Sequence, residues 1–224
     1  MHLLATAVDR VLDLAFPAIC PGCRAEGEPI CTRCIEALAP HVTRPAGVPI
    51  GMPGDVPAPL VQLEWVAPYG TLLRRAIHAL KYGGEQRLAR PLGRLVADRW
   101  LRAGRGGNFL VPVPIHRDRR RERGYDQAEL VARIAGRTLG LPVIAAVERQ
   151  RATARQFALD RTERRGNVEG AFGVPAAQRA AIAGRWIVLV DDVVTTGATL
   201  SACAAALRAS GALAVSAVAV ARER

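Results

Sequence analysis

Two carboxylates stand side by side at Asp191 and Asp192, followed by Val193, Val194, Thr195, Thr196, Gly197, Ala198 and Thr199. The apolar, β-branched stretch Trp186–Val190 leads into them, and an Ala/Leu-rich stretch from Ala198 to Arg208 leads away. This order reads as buried strand, acidic strand end, phosphate loop and helix. A helix N-terminus offers unpaired N–H groups and partial positive charge, which suit a phosphate. Gly197 lets the backbone approach the anion, and the threonine hydroxyls add donors. Carboxylates beside a phosphate would repel it unless they hold something else, such as sugar hydroxyls or a hydrated magnesium ion. A solvated strand end before an ordinary capped helix would explain only part of the pattern. Rival phosphate motifs are missing: there is no G-x-x-x-x-G-K-[ST], and Gly104, Gly106 and Gly107 do not complete a G-x-G-x-x-G.

A second constellation is Cys20-Pro-Gly-Cys23 and Cys31-Thr-Arg-Cys34, two C-x-x-C pairs with seven residues between them. Each pair can form a knuckle presenting two thiolates, and two knuckles complete a tetrahedral Cys₄ zinc site. Four thiolates leave no position for water, so such a zinc is structural. Redox dithiols and disulfides are the competing readings, disfavoured for paired knuckles in a cytoplasmic chain. Cys203, among Ala and Leu after the phosphate loop, reads as a core residue.

The elements that must position these groups alternate. A strand over Leu60–Tyr69 precedes helices over Thr71–Leu80 and Glu85–Arg102, the second with Leu88, Leu92, Leu95, Val96 and Arg99 at helical spacing. Between them lies Lys81-Tyr82-Gly83-Gly84, either a glycine stop to the helix or a tight loop aiming Lys81 at an anion. A strand over Phe109–Ile115 is followed by the run Arg117–Arg123, a charged face of the kind usually left in solvent. Arg123, Gly124, Tyr125 and Gln127 differ, because they enter a helix (Gln127–Leu139) beside a strand end. A further strand is expected over Leu141–Val147. Residues 149–172, with Arg149, Thr153, Gln156, Arg161, Arg164, Arg165 and Asn167, show no period and suggest a mobile loop that closes over a polyanion. A last strand over Leu213–Ala221 completes a β/α alternation, hence a mostly parallel sheet with its ligand beyond the strands' carboxyl ends.

Composition sets the outer limits. With 224 residues, half of them hydrophobic, the chain can hold one sizeable core and a small appendage. No apolar stretch reaches membrane-spanning length without charge. Residues 1–16 carry Asp9, Arg10 and Asp13 without a basic leading region, which argues against a signal peptide and for a short amphipathic helix in a cytoplasmic protein. Residues 40–59 are rich in Pro and Gly, so the division expected is 1–39 (helix and zinc module), 40–59 (linker) and 60–224 (main domain). The formal net charge is +11, and Lys81 is the only lysine. GC-rich codon usage alone produces such an Arg/Ala-heavy chain. A positive field also suits phosphorylated substrates and would give weak, salt-sensitive DNA binding. Aromatic residues are too scarce to stack single-stranded bases well.

The Asp191–Thr199 run closely resembles the loop that binds 5-phosphoribosyl 1-diphosphate (PRPP) in type I phosphoribosyltransferases. That resemblance assigns Asp191 and Asp192 to the ribose hydroxyls and Thr195, Thr196, Gly197, Ala198 and Thr199 to the 5-phosphate. Together with the cysteine knuckles, Leu80-Lys81-Tyr82-Gly83, Val111-Pro-Val-Pro114, Arg123-Gly-Tyr-Asp-Gln127 and the 149–172 pattern, it extends over nearly the whole chain to the ComF-type family. These are phosphoribosyltransferase-like proteins linked to bacterial DNA uptake. The family usually has asparagine where this chain has Asp126. The resemblance implies an α/β, type I phosphoribosyltransferase-like parallel sheet flanked by helices, with a small N-terminal Cys₄ zinc module. It also implies magnesium with PRPP, Lys81 and Tyr82 at the diphosphate, and further contacts from Arg123, Tyr125, Gln127, Arg149 and Arg161. The activity expected is a glycosyltransferase reaction, phosphoribose passing to an unidentified nitrogenous acceptor with release of diphosphate, and partners include a DNA-translocating ATPase. A non-catalytic PRPP sensor or scaffold and a zinc-dependent DNA-binding accessory protein are the alternatives.

Overall fold

Strands that are apolar on both faces must lie between two layers of helices, and that is how this chain is built. The computed structural model describes residues 17–46, 56–150 and 170–223. In chain order its elements are α1 (Thr32–Glu36), α2 (Ala39–Val42), β1 (Gln62–Pro68), α3 (Thr71–Tyr82), a 3₁₀ turn (Gln86–Leu88), α4 (Ala89–Ala103), β2 (Phe109–Pro112), α5 (Arg117–Arg123), α6 (Gln127–Leu139), β3 (Glu148–Arg149), β4 (Phe172–Gly173), α7 (Ala176–Ile182), β5 (Trp186–Val194), α8 (Ala198–Ala209) and β6 (Ala214–Arg222). Four strands form one parallel sheet in the order β1-β6-β5-β2, and β3 and β4 pair separately and antiparallel. The α/β class and parallel sheet expected from the alternation are therefore present. The expected amphipathic helix at 1–16 and the expected loop with Arg161 fall outside the described residues, as does the middle of the Pro/Gly-rich stretch.

Each face of the sheet has its own core. On one, Val188, Val190, Val218 and Val220 meet α3, α4 and α6, together with Cys20, Ile30, Leu38 and Val42 from the cysteine-bearing segment. On the other, Ile187, Leu189, Val215 and Ala217 meet Ile182 of α7 and Leu200, Cys203 and Leu207 of α8. Cys203 is fully buried, as its apolar neighbours in the sequence suggested. Helix α3 buries Leu73, Ala76, Ile77 and Leu80, one stripe at helical spacing. Where α4 crosses α6, a Cβ on Gly93 would stand 2.6 Å from Cβ of Ile134, so the two helices approach closely because this residue has no side chain.

Three readings need adjustment. The helix begun at Thr71 runs through Lys81 and Tyr82, which are its last turn and not a loop. The arginine run 117–123 is the short helix α5, capped when His116 Nδ1 accepts from the Asp118 N–H. Residues 141–147 do not form a strand. Only Val143 bridges to Leu110 at the sheet edge, and Pro112 on that edge has no N–H to continue a ladder.

Arg99 lies on the helical stripe that otherwise holds Leu and Val, and the structure explains it. The side chain is 3% exposed and pairs with Glu64 of β1, also 3% exposed. It donates as well to the carbonyls of Val42 (3.1 Å), Arg44 (2.6 Å) and Pro45 (3.2 Å). One cation thus ties α4, β1 and the end of the cysteine-bearing segment together. Replacing Arg99 with Met would take from the buried Glu64 its cationic partner and leave three carbonyls without this donor, and a loss of about 3–5 kcal/mol is expected. Urea denaturation measures it, and a change under about 1 kcal/mol would deny the pair this role.

Candidate active site and cysteine cluster

Strand β5 does not stop before the acids but carries them inside it, ending at Val194. Successive residues on a strand face opposite sides. The alternation that sends Val190 to one core and Leu189 to the other therefore parts the two carboxylates. Asp192, 5% exposed, turns toward α3 and α6. Its Oδ1 accepts from Lys81 Nζ at 2.8 Å, across 111 residues of sequence. Its Oδ2 accepts from Gln127 Nε2, also at 2.8 Å. Asp191 is half-buried and turns its Oδ1 back to accept from the Asp192 N–H at 2.8 Å. Burial, and then the neighbouring Asp192 charge, push Asp191 well above the usual carboxylate range, although Lys81 pulls the other way. Burial acts against the Lys81 charge, but Asp192 and then Asp191 outweigh it and hold the ammonium above its ordinary pKa.

The loop beyond β5 has the form its composition implied. Thr195 and Thr196 are half-buried, and Gly197 takes the left-handed conformation (φ +79°) as the N-cap of α8. Thr196 Oγ1 accepts from the Ala198 N–H at 3.3 Å. A small cavity of about 30 Å³ is lined by Asp191 and by residues 193–200. A Cβ at Gly197 would meet Pro57 at 2.6 Å, and Ser201 Oγ donates to the Ala58 carbonyl. The turn at 57–59 therefore lies over the start of α8, a contact with no local signature in the residues themselves.

A larger cavity, about 590 Å³, opens beside Lys81 and is walled by Tyr82, Gly84, Arg119, Glu122, Arg123 and Tyr125. Arg123 NH1 donates to Gln127 Oε1 at 2.8 Å, and its guanidinium lies 4.9 Å from the centre of the Tyr82 ring. Tyr82 is 60% exposed. Tyr125 donates its hydroxyl to the Leu80 carbonyl, holding the last turn of α3 against α6. Asp126 is buried at the N-cap of α6: Oδ1 accepts from the Ala128 and Glu129 N–H groups and Oδ2 from the Ile115 N–H. The Asp126 carboxylate is thus a three-bond structural acceptor, and an amide could not accept at both positions. Arg149 sits on the Asp191 side, its guanidinium 5.5 Å from the Phe172 ring centre. Burial and Arg119 lower its pKa, while Cys203 and Asp191 oppose them. The structure thus gathers Lys81, Tyr82, Arg123, Tyr125, Gln127, Asp191 and Asp192 around one end of the sheet. Arg161 lies outside the described residues.

The four cysteines cluster too. Cys20, Cys23, Cys31 and Cys34 bring their sulfurs within 4.8 Å of one another, with Cys23 and Cys31 at 3.4 Å. Tetrahedral zinc with Zn–S bonds of about 2.3 Å puts sulfurs roughly 3.8 Å apart, so the donor set fits that ion. Burial works against the Cys20 thiolate, yet backbone N–H groups of Cys23, Cys31 and Gly22 bring it down to about 6. Burial and the neighbouring thiols push Cys34 up to about 12. Four sulfurs this close resist joint deprotonation unless a cation compensates them.

Residues 122–224 match the phosphoribosyl transferase domain family. The chain is 34% identical over 221 residues to the DNA utilization protein YhgH of Escherichia coli K12, covering 90% of this chain and 96% of that one. The chain belongs to the ComF/YhgH competence family. Competence protein F of Haemophilus influenzae is 28% identical over 204 residues, covering 89% and 88% of the two chains. Among solved structures, the glutamine PRPP amidotransferase of B. subtilis complexed with ADP and GMP aligns at a TM-score of 0.40 and 20% identity, over 58% of this chain and 25% of that one. Lys81 lies outside the segment that matches the domain family, yet folding delivers it to the acids inside that segment. Among the described residues no helix is long and apolar enough to cross a membrane.

Two outcomes are expected. Purified protein should carry about one zinc per chain, and Cys34→Ser should lose it and melt earlier, because binding there is also folding energy. Metal analysis of protein purified without chelator checks this, and absence of zinc would remove the assignment. The second concerns pH. A carboxyl group whose folded pKa is raised costs stability once it ionises, and that cost is absent below its unfolded value of about 3.9. Asp191→Asn should therefore raise Tm at about pH 7 and leave it unchanged near about pH 3, as calorimetry would show.

Proposed function

We propose that this phosphoribosyltransferase-domain protein binds PRPP with magnesium and transfers its phosphoribosyl group to a nitrogenous acceptor, releasing diphosphate. The observation carrying the reading is the junction of Asp191 and Asp192 with a threonine–glycine loop entering α8, faced across the sheet end by Lys81 at 2.8 Å from Asp192. In this reading Asp191 and Asp192 take the ribose hydroxyls, and residues 195–199 take the 5-phosphate at the helix N-terminus. Lys81, Arg123 and Arg149 meet the diphosphate, with Arg161 as a further contact, and Tyr82 borders that anion. Departure of diphosphate leaves positive charge on the ribose ring. The carboxylates stabilise it, while the cations stabilise the leaving group. Magnesium, when bound, adds charge on the diphosphate. The acceptor would enter by the larger cavity, which is wide enough for a small planar base.

The relatives' names, DNA utilization protein and competence protein, support a setting in bacterial DNA uptake. A cytoplasmic location and a DNA-translocating ATPase as partner extend that reading. There a non-catalytic PRPP sensor is the second reading. What favours it is the cavity wall, where Glu122 is the one carboxylate beside a lysine and two arginines, a lining better suited to holding an anion than to activating an amine. Titration calorimetry with PRPP and magnesium tests binding. The Asp191→Asn/Asp192→Asn double variant should keep its fold and lose about a hundredfold in affinity, since hydrogen bonds to charged groups contribute about 1.5–3 kcal/mol each. Unchanged affinity would refute the site. A screen of nitrogenous bases for diphosphate release then separates transferase from sensor.

A further inference from the structure

Gln127 is 4% exposed, the first residue of α6, and stands between two opposite charges. Its Nε2 donates to Asp192 Oδ2 and its Oε1 accepts from Arg123 NH1, both at 2.8 Å. A carboxylate can only accept and a guanidinium can only donate, so the neighbours dictate the orientation of the amide. Few side chains meet both demands. A glutamate would accept from Arg123 but repel Asp192. A lysine would donate to Asp192 but repel Arg123. A leucine would leave both charges short of a partner. The amide nitrogen and oxygen are both engaged by protein groups, which gives Gln127 a role between its two neighbours.

We propose that Gln127 is a positioning residue that couples the sugar-side carboxylate Asp192 to the diphosphate-side Arg123. The proposal rests on the PRPP reading given above. The amide holds Asp192 in one rotamer for the ribose and draws Arg123 to the cavity wall, over Tyr82. A ligand that spans both ends meets a prearranged pair, whereas a sugar phosphate lacking diphosphate uses only one end. Gln127 therefore sets how strongly the protein prefers PRPP over ribose 5-phosphate. That preference belongs to the bridge, since Lys81 already holds the other oxygen of Asp192.

The test is titration calorimetry with magnesium on the full chain, using PRPP and ribose 5-phosphate as separate probes against the parent, Gln127→Leu and Gln127→Glu. Both variants should weaken PRPP by about tenfold to a hundredfold and ribose 5-phosphate by much less, with Glu the worse. Equal weakening of both ligands, or none, would overturn the coupling. A second arm needs no ligand. The ¹³C carboxyl shift of Asp192 should respond to Arg123→Met in the parent and not in the Gln127→Leu background. Gln127→Met, which also lacks both polar atoms, serves as the background where Gln127→Leu protein is too unstable. If the parent ignores PRPP, the PRPP reading fails and the proposed ligand preference fails with it, while the carboxyl shift still decides whether the bridge transmits. A response that is the same in both backgrounds would overturn the bridge.

Discussion

Asp192 is a charge buried at the end of a central strand, and a carboxylate taken out of water without partners costs several kcal/mol. Each of its oxygens therefore needs a donor, and Lys81 and Gln127 supply them. Much of the sheet face around it serves this end. Helix α3 is seated by Leu73, Ile77 and Leu80 so that its final turn brings Lys81 to the acid. Tyr125 fastens that turn through the Leu80 carbonyl. Asp126 starts α6 at the residue that places Gln127. Cations near a helix C-terminus are also favoured by its dipole, and Lys81 occupies that position in α3.

The neighbouring acid solves a different problem. Two adjacent carboxylates would repel strongly if both faced one cavity. Strand alternation sends Asp191 toward the threonine–glycine loop and the side of Arg149 and Cys203, away from Lys81 and Gln127. One acid is neutralised by protein groups. The other is left in a site where burial and its neighbour disfavour its charge. In the proposed reading, a ligand bringing hydroxyls or a divalent ion would relieve that tension.

The cysteine cluster belongs to the same physical unit. Cys20 packs in the core that holds α3 and α4. Gly22 fits between Cys34 and Leu72 of α3, where a Cβ would come within 2.6 and 2.9 Å of them. Arg75 of the same helix reaches the Pro21 carbonyl at 3.5 Å. The helix that carries Lys81 in its last turn thus begins against the cysteine knuckle. Arg99 secures the chain leaving that segment.

Local chemistry settled much of this in advance. The acids, the threonine–glycine loop and the paired cysteines are contiguous motifs, so residue type and spacing alone identified them. Period likewise marked α4, because burying one face of a helix imposes a repeat on its sequence, while continuous apolar runs marked β5 and β6, which are covered on both faces. Other features depend on contacts between distant residues. Lys81 read as a loop lysine until packing showed helix α3 carrying it to Asp192, and Gln127 gave no local sign of its bond to that same acid. Arg99 gave no local sign of the buried Glu64 that justifies it. The 141–147 stretch had strand-forming residues, but the edge pairs with it only at Leu110, because Pro112 has no N–H to continue the ladder. A charge or a hydrogen-bond donor acquires its role from whatever partner folding sets within about 3 Å, and for these residues that partner is far away in the sequence.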